Sequence, residues 1–343
     1  MTTESRAVPP AGSSAAGTPP AAAEAGTTLP AAPALAIAAG GGGLLAGQSR
    51  LNAALGHDLG QPLLAAVISN SIGLTIGLIA TICSSRVRAG VKRLRGSGLR
   101  WWECGGGLCG ACIVAGATFV VPHLGVALFT VGLVAGQTTG GLACDKLGLA
   151  PGGRRAITAP RIAGALLAIA AVALSDLLGG DAQVSVPFLL LAAAIGVASA
   201  VQGALNGRMR QVTVDPLATV TVNGAVGTAG LLVVLAILAA STGLPIHHWP
   251  ARPWEYLGGP MGVCIVFASV FTIRALGVLR LALTTIAGQL LTAVILDQVT
   301  PAHAGGISVG TALGVALTFI AVGVAGLRTP LVRRGRGGAE SAT

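Results

Sequence analysis

The 343 residues are 53% hydrophobic and only 9% charged, with a mean hydropathy of +0.81, whereas a soluble domain carries about a quarter of its residues as charged ones. So few charges could not cover a soluble surface of this size, and lipid must cover it instead. Nor does the formal net charge of +10 point to nucleic acid: the basic residues fall in the gaps between apolar runs, with no aromatic-basic patch or recognition motif beside them.

In chain order, residues 1–33 are Ala, Pro, Gly, Ser and Thr with almost no large apolar side chains. A segment that buries so little cannot offset its ordering entropy and is expected to be a disordered tail. It has neither the basic start nor the cleavage site of a signal peptide. Ten apolar runs follow, each near the roughly 20 residues that a membrane-spanning helix requires. The first five cover 34–55, 62–83, 102–121, 124–143 and 160–178; the second five cover 187–207, 216–241, 254–273, 278–296 and 305–327. Gly and Pro breakers separate them, and the tightest boundaries are at 122–124 and 274–280. Residues 328–343 form a short basic tail with Arg328, Arg333, Arg334 and Arg336.

Charge placement tests the count. With a cytoplasmic N-terminus, the second-to-third connection is inside and carries Arg86, Arg88, Lys92, Arg93, Arg95 and Arg100. Lys146, Arg154, Arg155 and Arg161, then Arg208 and Arg210, then Arg274 and Arg280, fall in later inner connections, and the C-terminal arginines are inside too. Among the outer connections only Arg252 appears. This is the excess of cytoplasmic Lys and Arg that orients membrane proteins.

The two sets of five runs repeat one another. Gln48-x-x-x-Asn52, ten residues before Pro62, recurs as Gln202-x-x-x-Asn206, ten residues before Pro216. Asn70 and Gly73 have rough counterparts in Asn223 and Gly227. Trp102-Glu103 with Gly106, Gly107 and Gly110 recurs as Trp254-Glu255 with Gly258, Gly259 and Gly262. Gly125 matches Gly277, and Gly136-Gln137…Asp145 matches Gly288-Gln289…Asp297, at an offset of 152 to 154 throughout. Five spans per copy is an odd number, so the copies must cross the membrane in opposite senses. Inverted repeats are the architecture of many secondary transporters. The expected fold is therefore an all-α integral membrane protein of about ten helices, with repeats at 34–180 and 187–327.

These residues also carry a family likeness. The chain resembles the drug/metabolite transporter (DMT) superfamily, in its branch of YdcZ-like inner-membrane proteins, over roughly residues 40–327. Members of that branch occur as five-helix proteins and as ten-helix fusions, with an early Gln-x-x-x-Asn and a later Gly-Gln…Asp. The resemblance implies an EamA-like, ten-helix inverted-repeat carrier in the plasma (inner) membrane with both termini cytoplasmic. It supplies no substrate.

Polar groups inside spans are costly unless paired, so those present are candidates for a pathway. They are mostly amides: Gln48, Asn52, Asn70, Gln137, Gln202, Asn206, Asn223 and Gln289. Residues four apart share a helix face, so each Gln/Asn pair offers donors and acceptors suited to a neutral or zwitterionic solute. The competing reading is interhelical adhesion, at about 1 kcal/mol per bond. Glu103 and Glu255, near the starts of their spans, are candidates for proton coupling; the alternative is an interfacial cap favoured by the helix dipole. Asp145 and Asp297 are expected at interfaces, serving a turn or a loop Arg. Arg50, the lone cation within a span, either snorkels to headgroups or meets an anionic group. His57, His123, His247, His248 and His303 all fall on the predicted outer side, where loop polarity suffices to explain them. Cys109 and Cys112 have C-x-x-C spacing without a second ligand pair.

No nucleotide-binding, nucleophile-elbow or zinc-protease motif occurs. No enzyme activity, cofactor or metal is expected. The sequence thus predicts a secondary transporter, an exporter of a small polar or amphipathic metabolite. The alternatives are a lipid-linked substrate flippase or a non-transporting scaffold. Its partners would be membrane lipid and the small-molecule substrate, with no nucleic acid; a homodimer stays open.

Overall fold

A computed structural model describes residues 30–149, 153–154, 157–178, 186–243, 246–300 and 308–325. The expected tails, apart from residues 30–33, and His303 lie outside the described residues, as do the side chains of Arg274 and Arg280. The described chain is helical and contains no strand: α1 (Ala31–Leu59), α2 (Pro62–Cys83), α3 (Ser85–Leu94), α4 (Gly106–Leu147), α5 (Ala159–Leu177), α6 (Val186–Thr213), α7 (Pro216–Thr242), α8 (Gly258–Val299) and α9 (Val309–Ala325). Single 3-10 turns, Trp101–Cys104 and Pro253–Leu257, lead into α4 and α8. Among the described residues, helix falls in each of the ten predicted runs. Among these residues, five stretches are long and apolar enough to cross a membrane: Pro62–Cys83, Trp101–Leu147, Val186–Thr213, Pro216–Ser241 and Leu281–Val299. Ala159–Leu174 and Val309–Val324 are shorter apolar helices.

Local chemistry sets the ends. α1 stops where Gly60 turns left-handed at φ 67°, its N–H returning to the last carbonyls of the helix. Pro62 and Pro216 then start α2 and α7 at the position where a missing N–H costs nothing. Asp215 caps α7 by accepting from Leu217 N at 2.9 Å. Gly60 and Val214 occupy equivalent places in the two repeats and both have positive φ, 67° and 62°.

α4 is two helices joined without a loop. At about 1.5 Å per residue its 42 residues would run about 63 Å, twice the hydrocarbon thickness. The break is Gly125, at φ 77° and ψ 167°, a conformation open essentially to glycine alone. Contacts with α6 show the reversal. Gly106, Gly110 and Gly116 pack on Asn206, Gln202 and Ile195, running against α6; Gly132, Gly140 and Gly148 then pack on Ala192, Val197 and the segment beside Arg208, running with it. The tight boundary at 122–124 is thus a true reversal, displaced to Gly125.

α8 embraces α1 in the same way. Gly258, Gly262 and Ala268 meet Asn52, Gln48 and Gly41; Thr285, Thr292 and Thr300 then meet Gly42, Gly43 and Arg50. Each repeat therefore wraps the first helix of the other between the arms of a helical hairpin. Gly56, near the end of α1, packs on Thr118 near the end of the first arm of α4, so these two run the same way. α6 runs against that arm. The equivalent helices α1 and α6 are accordingly antiparallel, which makes the repeats inverted.

The central core gathers Ala46, Val120, Val121, Val126, Phe129, Val131, Leu189, Ile195, Leu290 and Val315, where both hairpins meet. α2 packs against α7, and α5 against α9. The basic α3, within the expected second-to-third connection, lies against α6 and α7 through the buried Val87 and Gly90. It marks one end of the bundle. Gly60, Gly125 and the Pro253–Leu257 turn lie at the other.

Candidate functional site

The amide pairs dock reciprocally. On α6, Gln202 and Asn206 face Gly110 and Gly106 of α4; on α1, Gln48 and Asn52 face Gly262 and Gly258 of α8. A methyl group on Gly258 would collide with Asn52 Oδ1, and one on Gly106 would sit 2.6 Å from Asn206 Oδ1. The glycines recurring after each Trp-Glu thus admit the other repeat's amides to the first turn of a helix. Gln48 Nε2 donates to Gly258 O at 2.8 Å. Asn223 Nδ2 donates to Asn206 Oδ1 at 2.6 Å, leaving Asn223 Oδ1 buried without a partner. Asn52 Oδ1 is likewise buried and unpartnered.

Inversion separates what the sequence groups together. The Gln202–Asn206–Asn223 cluster lies toward the α3 end, and Gln48–Asn52 toward the opposite end. The position equivalent to Asn223 beside Gly258 is Ser69, an offset of 154, rather than Asn70. Asn70 instead reaches from α2 to Gly227 of α7, where a methyl group would stand 2.8 Å from its Nδ2. Asn70, Asn206 and Asn223 therefore gather around the start of α4, each partly exposed.

Gln137 and Gln289 sit along the second arms. Gln137 Nε2 donates to Ser199 Oγ of α6 at 2.9 Å. Gln289 is 2% exposed and its Nε2 has no partner, because Leu45 of α1 stands where Ser199 stands on α6.

The carboxylates differ more sharply. Glu103 Oε1 accepts from Arg208, and its Oε2 from Arg100 N at 2.8 Å. Arg208 Nη2 also donates to Gly148 O at 2.6 Å, closing the C-terminus of α4. Arg50 does the matching work at the other end, donating to Thr300 O at 2.9 Å at the C-terminus of α8. It therefore caps a helix end, where a cation suits the dipole. Glu255, 2% exposed, has only Arg252 at 3.7 Å, and its Oε2 is unpartnered. Asp145 pairs with Arg161 at 2.6 Å. Asp297 accepts from Val126 N and Ala127 N at 2.9 and 2.6 Å, capping the second arm of α4 just past Gly125. No local pattern signals the Asp297 cap or the role of Arg208, since their partners lie in the other repeat.

Of the histidines, His57 contacts Asp58 at 3.2 Å, His123 stacks on Phe188, and His247 lies over Gly60. Among the described residues no three His, Cys, Asp or Glu side chains are grouped to hold a metal.

The repeat seen in the packing is seen also by comparison. None of the curated proteins matches the chain. A family model described as "Putative inner membrane exporter, YdcZ" matches residues 33–174 and again residues 187–325. With both helical repeats accounted for in this way, the chain is an all-α, multi-pass inner-membrane protein and belongs to the DMT_YdcZ family.

Proposed function

We propose that the chain is a secondary carrier that exports a small polar or amphipathic metabolite by alternating access, and not an enzyme. The observation that carries this reading is the reciprocal amide docking: one set of contacts occurs twice, at opposite ends of the bundle, each between a first helix and the glycine face of the other repeat's hairpin. If the repeats exchange conformations, the end that is closed exchanges with the end that is open. Asn70, Asn206 and Asn223, with Gln202, would line one mouth; Gln48 and Asn52, with Ser69, the other. Gln137 and Gln289 would lie between them. Side-chain amides in such a place bind through paired donors and acceptors and leave charge discrimination to other groups.

The repeats in this reading are 34–180 and 187–327, with cytoplasmic tails at 1–33 and 328–343. Basic residues of the α3 end, including Arg86, Arg88, Lys92, Arg93 and Arg208, favour a cytoplasmic assignment for that end. A reporter fused after residue 328 is expected to read as cytoplasmic.

The function is tested by comparing metabolites in the medium of cells expressing the wild type, Gln137→Ala/Gln289→Ala, and Asn206→Ala/Asn223→Ala at matched membrane levels. A compound that accumulates outside with the wild type and drops at least tenfold in the variants supports the carrier. Unchanged soluble pools with altered lipid-borne species would replace it with a flippase, and no difference of either kind would leave a scaffold.

A further inference from the structure

The inverted repeats make a physical control of each site by its partner, and one pair of positions is conspicuously unequal. Arg208 of α6 lies two residues beyond Asn206 and takes Glu103 Oε1; the position two residues beyond Asn52 of α1 is Ala54. Glu255, which occupies the place of Glu103, therefore faces α1 without an arginine. The cation on α1 is Arg50, one turn away, and it is bonded to Thr300 O. Nor does Glu255 gain the backbone bond that Glu103 takes from Arg100: its Oε2 is buried without a partner. We propose that Glu255 is the proton-exchanging residue of this chain, binding and releasing a proton at the end of the bundle opposite α3, while Arg208 keeps Glu103 from doing the same.

The surroundings favour exchange. Around Glu255, the connection before α8 contributes Arg252 at 3.7 Å and His248; α1 contributes Asp58, itself in contact with His57. α2, also packed against this turn, carries no charged residue, and the carboxylate of α8 at this end, Asp297, is engaged by Val126 N and Ala127 N. One exposed guanidinium thus stands against two carboxylates. Burial pushes the Glu255 carboxyl above its ordinary 4.5, and Asp58 pushes it further, against the weaker pull of Arg252. The step is simple in its balance: a carboxylate oxygen and a proton from water form one O–H bond, and the same proton returns to water.

The inference takes its meaning from the carrier reading, but its test needs no substrate. The full chain in lipid nanodiscs is followed by infrared difference spectroscopy through a pH series, reading the C=O band of protonated carboxyl groups. The wild type is expected to show a band that disappears above the pH range of ordinary glutamates. Glu255→Gln should abolish it, and Glu103→Gln should leave it in place. Ala54→Arg, which supplies the missing cation, should move its midpoint down by at least one pH unit. Arg208→Ala, at the far end, should add a second titrating band. A wild type without the band, or a band that survives Glu255→Gln, overturns the proposal. So does an Ala54→Arg chain that is folded by circular dichroism with its midpoint unmoved. If that variant does not fold, the Arg208→Ala spectrum decides: an unchanged band overturns the symmetry argument. Export lost in the amide variants with no titrating band would reject this inference alone, and the reverse result would reject the carrier alone.

Discussion

Removing the carboxylate of Asp297 tests whether the reversal in α4 is held by the other repeat. The second arm of α4 begins with free N–H groups, as every helix does. Those of Val126 and Ala127 point at Asp297 Oδ1 and Oδ2, at 2.9 and 2.6 Å, in a place where the aspartate is only 7% exposed. Hydrogen bonds to a charged group contribute about 1.5–3 kcal/mol each, and losing a helix cap costs about 0.5–2 kcal/mol. With some of the loss recovered by relaxation, Asp297→Ala should cost about 3 kcal/mol, which is roughly a hundredfold in the unfolding equilibrium. Asp297→Asn keeps one acceptor but loses the charge, and about half that cost is expected. Gly125→Ala should be similarly harmful, since its backbone is strained for any side chain by about 1–3 kcal/mol and its methyl group would lie 2.9 Å from Asp297 Oδ2. The assay is reversible unfolding of the purified chain in mixed micelles, followed by helical circular dichroism. Because the alanine methyl and the carboxylate compete for one place, Gly125→Ala should cost less in the Asp297→Ala background than in the wild type. An Asp297→Ala chain within about 0.5 kcal/mol of the wild type, the usual range for an inconsequential substitution, would refute the cap.

Three further outcomes are expected. Gly136→Ala would drive a methyl group into Ala193 O and should cost about 1–3 kcal/mol by overpacking, whereas Gly203→Ala, with nothing within 4 Å, should be neutral or gain up to about 1 kcal/mol in unfolding assays. Leu45→Ser should give Gln289 Nε2 the partner that Ser199 gives Gln137, raising the unfolding midpoint by the equivalent of about 1 kcal/mol despite the smaller side chain; a lower midpoint would deny the equivalence. Because burial and Asp58 hold Glu255 protonated above its ordinary 4.5, the folded chain keeps a proton that the unfolded chain releases. That contribution to stability is fully present below 4.5 and is lost as pH rises through the raised value, so Glu255→Gln should flatten the fall in stability over this window.

Periodicity and punctuation made the helices legible, because in lipid every apolar run must satisfy its own backbone. The inversion was legible too, from an odd number of runs per copy. What the sequence withheld was mutual: each first helix is clasped by the other repeat, so Gln48 meets Gly258 and Gln202 meets Gly110 across gaps that no local pattern encodes. Pairing by residue identity misleads here. Asn70 looks like the partner of Asn223, yet Ser69 takes the equivalent place beside Gly258, because registration follows the helix face and not the side chain. The arginines of α3 dominate its sequence and give it the look of a connection; the small buried face of Val87 and Gly90 is the signal for a helix.

The symmetry supplies a further physical constraint on the proposed cycle. If the two halves were identical, exchanging their conformations would give two states of equal energy, and neither would be favoured. Any preference must come from the positions at which the halves differ. Among the paired polar sites, three differences are chemically unlike: Ala54 against Arg208, Ser69 against Asn223, Leu45 against Ser199. The α3 end holds the close Arg208–Glu103 pair and the asparagine pair; the opposite end holds Glu255 with only Arg252 at 3.7 Å, and between them Gln137 is bonded to Ser199 whereas Gln289 Nε2 has no partner. A difference of about 1.4 kcal/mol shifts a two-state population tenfold, and one lost bond at any of these places is of that order. Substitutions that even out the bonding of the two halves, Leu45→Ser, Ala54→Arg and Asn223→Ala, should therefore bring the two access states closer in population. Cysteine accessibility measured from both sides of the membrane would read that balance directly. Accessibility unchanged from the wild type in all of these variants would place the energetic asymmetry elsewhere in the chain.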